Sequence, residues 1–327
     1  MRIVLEAQLS PHEGARYDAF VEDAVGGHFS QTRAWAAVAT AGKSLRADSL
    51  LVLSDDEVIG AAQVLRPRLG RLAAPIAMLE RGPVCRSPRD LARVLPALLH
   101  GLRRRRILRV SAMPYFGGNA SIAAAKCLTE SGFRDVQQAS GAHVRTLRLQ
   151  LRDQRLDALF SGGARESLRR KLKQAEKAGV RVRRGDRSDV AHLQRLHTHM
   201  MLAQNKPPKS AAYFQALADF LATSDRGELL LAEHGKNVIA ALVAVAHGRL
   251  VTFVVGATTT DVLPFSKMAS AMSGAIAWAH AVGADAFDFG GIPAQNDADP
   301  KRASIAQFKF DFTKDTLDLT PEHARWF

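Results

Sequence analysis

The feature that most limits how this chain can fold is a repeat in the order of its elements. The first half reads as a strand (RIVLEA), a short helix (QTRAWAAVATAG) ended by Gly42, and a hairpin through SLLVLSDDEVIGAAQVLRPRLG turning at Ser54-Asp55-Asp56. A strand (PIAMLERGPVC), a helix opened by Pro88, a strand ended by Pro114, a helix closed by Gly132 and a last strand, HVRTLRLQL, complete it. Small and acidic residues break the apolar runs where turns are needed, and Pro and Gly mark the helix ends. The basic segment RESLRRKLKQAEKAG, Arg165 to Gly179, is the clearest helix: Leu168, Leu172 and Ala175 fall on one face and Gly179 stops it. Then the order starts over, with GVRVRRG as a strand, two helices, an antiparallel meander from GELLLAEH to LVTFVVGA, a helix from about Ser266 to Val282 and the strand DAFDFGG. Two copies of one α/β plan joined near residue 155 are expected. A length of 327 residues agrees, being about twice that of an ordinary domain.

Charge narrows the partners. Lys and Arg number 45 against 32 Asp and Glu, giving +13 and a pI near 10.2. Such a field attracts RNA, phosphorylated metabolites or an anionic membrane face, although a surface that uses Arg by default reads the same way. The longest apolar run, Val238 to Ala246, is too short to span a bilayer. Two distant cysteines, Cys85 and Cys127, read as packing residues, with neither a disulfide framework nor a zinc site. With no secretory pattern at the amino terminus, a cytoplasmic protein is expected, with peripheral contact at the inner membrane face.

Phosphate-loop, dinucleotide, hydrolase-elbow and zincin motifs are all missing, and His192, His197 and His199 have poor ligand spacing, so no metal is expected. The restarted element order resembles the acyltransferase fold that binds acetyl-CoA. There, an [RQ]-x-x-G-x-[GA] turn presents amides to the pyrophosphate. VVGATTTDVLPFSK stands in that place with one useful glycine, which demotes coenzyme A without excluding it.

Six stretches together resemble the FemABX family of non-ribosomal peptidyl transferases: FSQTRAW (29–35), RGPV (81–84), RRKLKQAEKAGV (169–180), FVVGATTT (253–260), AFDFGG (286–291) and QFKFDF (307–312). The resemblance implies an α/β protein of two tandem GNAT-like (acyl-CoA N-acyltransferase fold) domains with mixed, largely antiparallel sheets flanked by helices. Residues 1–155 would form the first, 156–312 the second, and 313–327 a tail packing back on the first. It implies transfer of an aminoacyl or acyl group from aminoacyl-tRNA, as co-substrate and without a cofactor, to an amine of a peptidoglycan precursor or other envelope acceptor.

Within FKFDF, two-residue alternation predicts a strand with Phe308, Phe310 and Phe312 on one face and Lys309 with Asp311 on the other. The lysine would face a cleft between the domains and the aspartate would keep it charged. In the family the matching lysine is associated with the developing oxyanion, which assigns that role to Lys309. Asp288, Gly290 and Gly291 would shape the cleft and a loop over 292–304 would cover it. Arg169, Lys173 and Lys177 form an i, i+4, i+8 stripe suited to phosphates of tRNA or a nucleotide-linked precursor; the wet face of an amphipathic helix is the other reading. Arg81 before Gly82-Pro83 would sit beside the precursor, or simply in a turn. The chain departs from the family at Phe253, where a tyrosine is frequent, at Asp311 and Thr313, which replace a glycine pair, and in having no room for a coiled-coil arm. Two rivals stand beside this reading: a same-fold N-acyltransferase using acyl-CoA or acyl-carrier protein in envelope or exopolysaccharide synthesis, and a non-catalytic protein docking RNA or lipid head groups.

Overall fold

The computed structural model describes residues 2–70, 72–136, 143–161, 165–293 and 300–327. They divide into two compact units, Met1–Arg145 with Leu317–Phe327, and Thr146–Thr316.

The first unit is built on an eight-stranded sheet in the order Arg2–Glu6, Leu45–Ser54, Glu57–Leu69, Ile76–Leu79, Arg109–Ala112, His323–Trp326, Arg134–Asp135, with Leu72–Ala73 added to the long third strand. The predicted hairpin turns at Asp55 and Asp56, whose φ of 49° and 62° are those of the two-residue turns that match strand twist. Helix Pro88–Arg104 is capped by the Ser87 hydroxyl and buries Leu91, Leu95, Leu98 and Leu102 along one stripe. It is the crossover between Ile76–Leu79 and Arg109–Ala112, which pair parallel.

Six of the second sheet's seven strands run Arg145–Gln150, Ala286–Gly291, Leu250–Thr258, Asn237–His247, Gly227–His234, Val180–Arg184. Helices Glu166–Lys177 and Ala269–Ala281 pack on each other, and the second of them lies on the strands; helices Val190–Leu202 and Ala211–Thr223 also pack on them. Strand Asn237–His247 is buried at nearly every position, which explains its unbroken run of Val, Ile, Ala and Leu. Alanines at 269, 271, 275 and 279 let the crossover helix approach this sheet closely. Among the described residues no helix is long and apolar enough to cross a membrane.

Two expectations about boundaries differ from the structure. HVRTLRLQL closes no first-half sheet: Arg145–Gln150 pairs antiparallel with Ala286–Gly291, and Leu147 and Leu149 join the second unit's core. The division therefore falls near residue 145 rather than 155. The tail begins at Leu317 rather than 313, and its strand His323–Trp326 lies between Arg109–Ala112 and Arg134–Asp135. Alternation identifies a strand but carries no information on which distant strand completes its hydrogen bonds. Since the tail strand supplies ladder bonds on both sides, a chain ending at Thr316 is expected to lose the urea transition of the first unit while the second unit's transition persists.

Candidate active site

The site grows from a place where two strands part. Leu250, Val251 and Thr252 pair in parallel with Ala286, Phe287 and Asp288, and among the described residues this ladder ends there. Strand Leu250–Thr258 continues along its other neighbour to Thr258, with Val254 bulged out of register. Strand Ala286–Gly291 slips on Arg145–Gln150 between Asp288 and Gly291. The chain can leave its partner here because Gly290 has φ 72°, a conformation that strains any residue with a Cβ. Its α-carbon also comes close to the neighbouring strand, since a Cβ would lie 3.5 Å from the Phe253 carbonyl oxygen.

Asp288, 1% exposed, holds this turn. Its Oδ1 accepts from the Gly290 amide at 2.7 Å, and its Oδ2 accepts from Arg148 Nε at 3.1 Å. The Thr146 hydroxyl reaches both the Asp288 carboxylate and, at 2.9 Å, the Gly290 carbonyl. A buried carboxylate is tolerable only when paired and hydrogen-bonded, and this one is both.

Lys309 enters from helix Pro300–Phe310. The ammonium donates to the Gly291 carbonyl at 2.7 Å and lies 5.9 Å from the centroid of the Phe253 ring. With the residue only 6% exposed, burial pulls its pKa down from 10.5 to about 8, against the opposing charge of Asp288. That shift corresponds to about 3 kcal/mol spent on keeping the charged form indoors. The fold thus maintains a buried ammonium whose pKa lies far closer to neutral than that of a free lysine.

Where a strand over FKFDF is expected, Phe308–Phe310 end a helix and Asp311 and Phe312 follow in a turn. Phe308 and Phe312 meet at i, i+4 with ring centroids 5.4 Å apart, and Phe312 packs on Phe289 at 5.2 Å. This removes Asp311 from the side of Lys309: its carboxylate instead binds the Lys171 ammonium on helix Glu166–Lys177. Of the expected covering loop, 294–299 lie outside the described residues, and Pro300 already starts the helix.

Lys309, Asp288, Gly290, Gly291 and Phe253 therefore come together. Arg169, Lys173 and Lys177 stand exposed along their helix. Arg81 belongs to the first unit and is 3% exposed, with φ 59°; its guanidinium donates to the His143 carbonyl at 2.8 Å and lies 5.4 Å from the Tyr115 ring centroid. A separate cavity of about 170 Å³ in that unit is lined by Lys43, Glu80, Ser111, Met113 and Glu322 among others, but not by Arg81. Thr146, Arg148 and Lys171 were not singled out from the sequence, although the first two occupy the polar face of the alternating strand RTLRLQ.

The turn after strand Leu250–Thr258 is closed from within. Lys267 Nζ donates to the carbonyls of Thr259 at 2.6 Å and Asp261 at 2.7 Å, so at these two positions carbonyls converge on a cation. His197 is buried against Phe214, and among the described residues no cluster of His, Cys, Asp or Glu is placed to hold a metal.

Residues 162–302 match the family model of an acetyltransferase (GNAT) domain. The whole chain is similar in structure to FemX, with a TM-score of 0.83 at 17% identity over 100% of this chain and 98% of that one. It is also similar to L-PGS from Bacillus licheniformis, at 0.61 and 14% over 97% and 91%, and to a tandem GNAT protein from the clavulanic acid biosynthesis pathway, at 0.56 and 9% over 99% and 98%. The fold is that of the tandem GNAT proteins. No curated protein sequence matches the chain. The second tandem GNAT unit, which carries the matched domain, is of acyltransferase type, and Lys309 lies seven residues beyond the matched span.

The Lys171–Asp311 pair fastens the end of the Lys309 helix, and Asp311 is 7% exposed where Lys171 is 31% exposed. Lys171→Met is expected to cost about 2 kcal/mol, between the values of exposed and buried pairs. Adding Asp311→Asn should recover part of that loss in urea unfolding, because the stranded charge is gone.

Proposed function

We propose that the protein is a FemABX-type transferase that forms an amide by moving an aminoacyl group from aminoacyl-tRNA to an amine of a peptidoglycan precursor or other envelope acceptor. The observation that carries this reading is the buried Lys309 ammonium at the parting of the two parallel strands. In such a transfer the acceptor nitrogen attacks the ester carbonyl, and the carbonyl electrons move onto oxygen. The ester C–O bond then breaks, and the amine proton ends on the departing ribose hydroxyl. No covalent enzyme intermediate is required, so the protein's contribution is positioning and a cation waiting where the oxyanion forms. A pKa near 8 also suits a group that lends a proton to the leaving oxygen and recovers it.

Two further observations support the donor class. In the turn that a coenzyme A pyrophosphate would approach, the Thr259 amide already donates to the Ile239 carbonyl and the Asp261 amide to the Thr259 hydroxyl, so fewer amides are free to bind one. The exposed stripe Arg169, Lys173, Lys177 suits a polyphosphate backbone. The similarity in fold to FemX agrees with the family resemblance of the sequence motifs.

Lys309→Met is expected to lower transfer from charged tRNA by about a hundredfold or more while leaving tRNA binding intact. The wild-type rate, limited by the protonated form, should fall as pH rises past about 8. The folded lysine gives up its proton near 8 and the unfolded one near 10.5, so the unfolded chain binds more protons in between and wild-type stability rises over that window. Lys309→Met should therefore be the more stable protein below pH 8, by up to about 3 kcal/mol, with the difference shrinking as pH climbs. A variant that loses stability at pH 7 and keeps its rate would refute the assignment. Full activity with an acyl-CoA and none with charged tRNA would transfer the reading to a thioester donor.

Arg169→Glu with Lys173→Glu is expected to weaken tRNA binding and flatten its dependence on salt by about two counterions. The check is a salt titration of binding, with unfolding by urea unchanged.

A further inference from the structure

One edge of the first unit's sheet is both apolar and strongly basic. Leu69 and Leu72 face each other across the hairpin that ends strand Glu57–Leu69 and are 64% and 74% exposed. The chain then runs through Ala74, whose amide donates to the Pro67 carbonyl, to Pro75, whose carbonyl accepts from the amides of Leu108 and Arg109. Leu108 is 54% exposed, and its own carbonyl accepts from the Phe327 amide at 2.9 Å. Ile76, Arg109 and Trp326 are in register across three strands, and Trp326 is 69% exposed beneath the Arg109 guanidinium. The backbone thus strings Leu69, Leu72, Leu108 and Trp326 along one continuous edge.

The same segments are unusually charged. Residues 66–76, 101–110 and 324–327 hold three, five and one arginines and no aspartate or glutamate. Arg68, Arg103, Arg104 and Arg106 are exposed. Arg105 is drawn to an acid, Glu6, at 2.8 Å, and Arg66 to Asp48 at 3.8 Å.

We propose that this edge docks the protein on an anionic bilayer surface. The leucines and Trp326 enter the boundary between headgroups and acyl chains, and the arginines bind lipid phosphates. Membrane interfaces favour this mixture: an indole at headgroup depth, aliphatic side chains below it and guanidinium groups in the phosphate layer. Either signal alone gives weak, reversible binding, whereas apolar insertion with a basic patch gives stable attachment. A second copy of the chain is a poor occupant, since a two-fold contact would set these arginines against themselves. RNA would satisfy the arginines and leave the leucines in water. The proposal does not rest on the transfer reaction, because none of these residues belongs to the unit that carries Lys309.

The test uses the full chain with vesicles of phosphatidylcholine, with and without phosphatidylglycerol. Of the three tryptophans, Trp35 and Trp278 are 6% and 9% exposed, so a blue shift of emission on binding reports Trp326. Co-sedimentation with the anionic vesicles, a blue shift, and loss of both at high salt are expected. Leu69→Ser with Leu72→Ser, and separately Arg103→Glu with Arg104→Glu, should each weaken vesicle binding by about tenfold. Trp326→Phe should remove the shift and keep co-sedimentation. Circular dichroism and urea unfolding identify any variant that fails to fold, and the single change Arg68→Glu then replaces it. Transfer to a soluble acceptor should survive the leucine changes, which separates failure here from failure of the transfer reading. The proposal is overturned by absence of binding to anionic vesicles or by equal binding to neutral ones. Self-association abolished by the leucine changes, or RNA binding lost in the arginine variants while vesicle binding persists, overturns it as well.

Discussion

Burying one ammonium is the constraint on which the second unit's local structure depends. Lys309 has lost most of its water, and what replaces that water is a single carbonyl, an aromatic face and the field of a buried carboxylate. Each substitute has its own requirement. The Gly291 carbonyl is offered only because Gly290 turns through φ 72°. That turn is held by the Asp288 carboxylate on the Gly290 amide. Asp288 in turn is kept in place by Arg148 and Thr146, which arrive on the strand from the other end of the unit's sequence. The holding of one ammonium is therefore spread over a strand, a bulge and a helix.

The repeat of element order was legible because each half alternates apolar runs of the right period with glycine, proline and acidic breaks, and those signals are local. What was not legible is the pairing of elements far apart. RTLRLQ looks like a strand in any sheet, and only its bonds to Ala286–Gly291 assign it to the second unit. QFKFDF illustrates a different ambiguity, since a five-residue run of alternating Phe fits a period of two and also places Phe308 and Phe312 one helical turn apart. The Asp299-Pro300 pair before KRASIAQ is a helix-opening signature and favours the second reading. Taking the strand put Asp311 beside Lys309, whereas a helix turns successive side chains by about 100° and delivers Asp311 to Lys171 instead. Lys309 is marked by the resemblance of QFKFDF to a family motif, and Asp288 with the glycine pair by the end of a strong apolar run. Lys267 and Lys171 were missed because nothing local distinguishes them from other surface lysines.

Net charge gave a similarly partial picture. Many arginines are already committed: Arg183 to Asp189 and Glu233, Arg184 to Glu228, Arg249 to Asp285, Arg145 to Asp318. Exposed pairs of this kind contribute little stability individually, but they cancel charge locally. The excess of +13 is therefore concentrated where acids are scarce, notably the exposed face of helix Glu166–Lys177 and the arginine-rich edge of the first sheet. Two such regions lie in different units, and each of the two proposals places a polyanion at one of them.

The two units also differ in a cation that each buries. Each has a parallel pair joined by a crossover helix, Ile76–Leu79 with Arg109–Ala112 in the first and Leu250–Thr252 with Ala286–Asp288 in the second. In the first unit this cation is Arg81, held on the His143 carbonyl and the Tyr115 ring. A guanidinium does not give up its proton near neutral pH whatever its surroundings, so that position can hold charge but cannot exchange it. In the second unit the cation is a lysine, whose proton affinity responds to burial and has dropped to about 8. Of these two buried cations, only the lysine has a proton affinity that its surroundings bring near neutral pH.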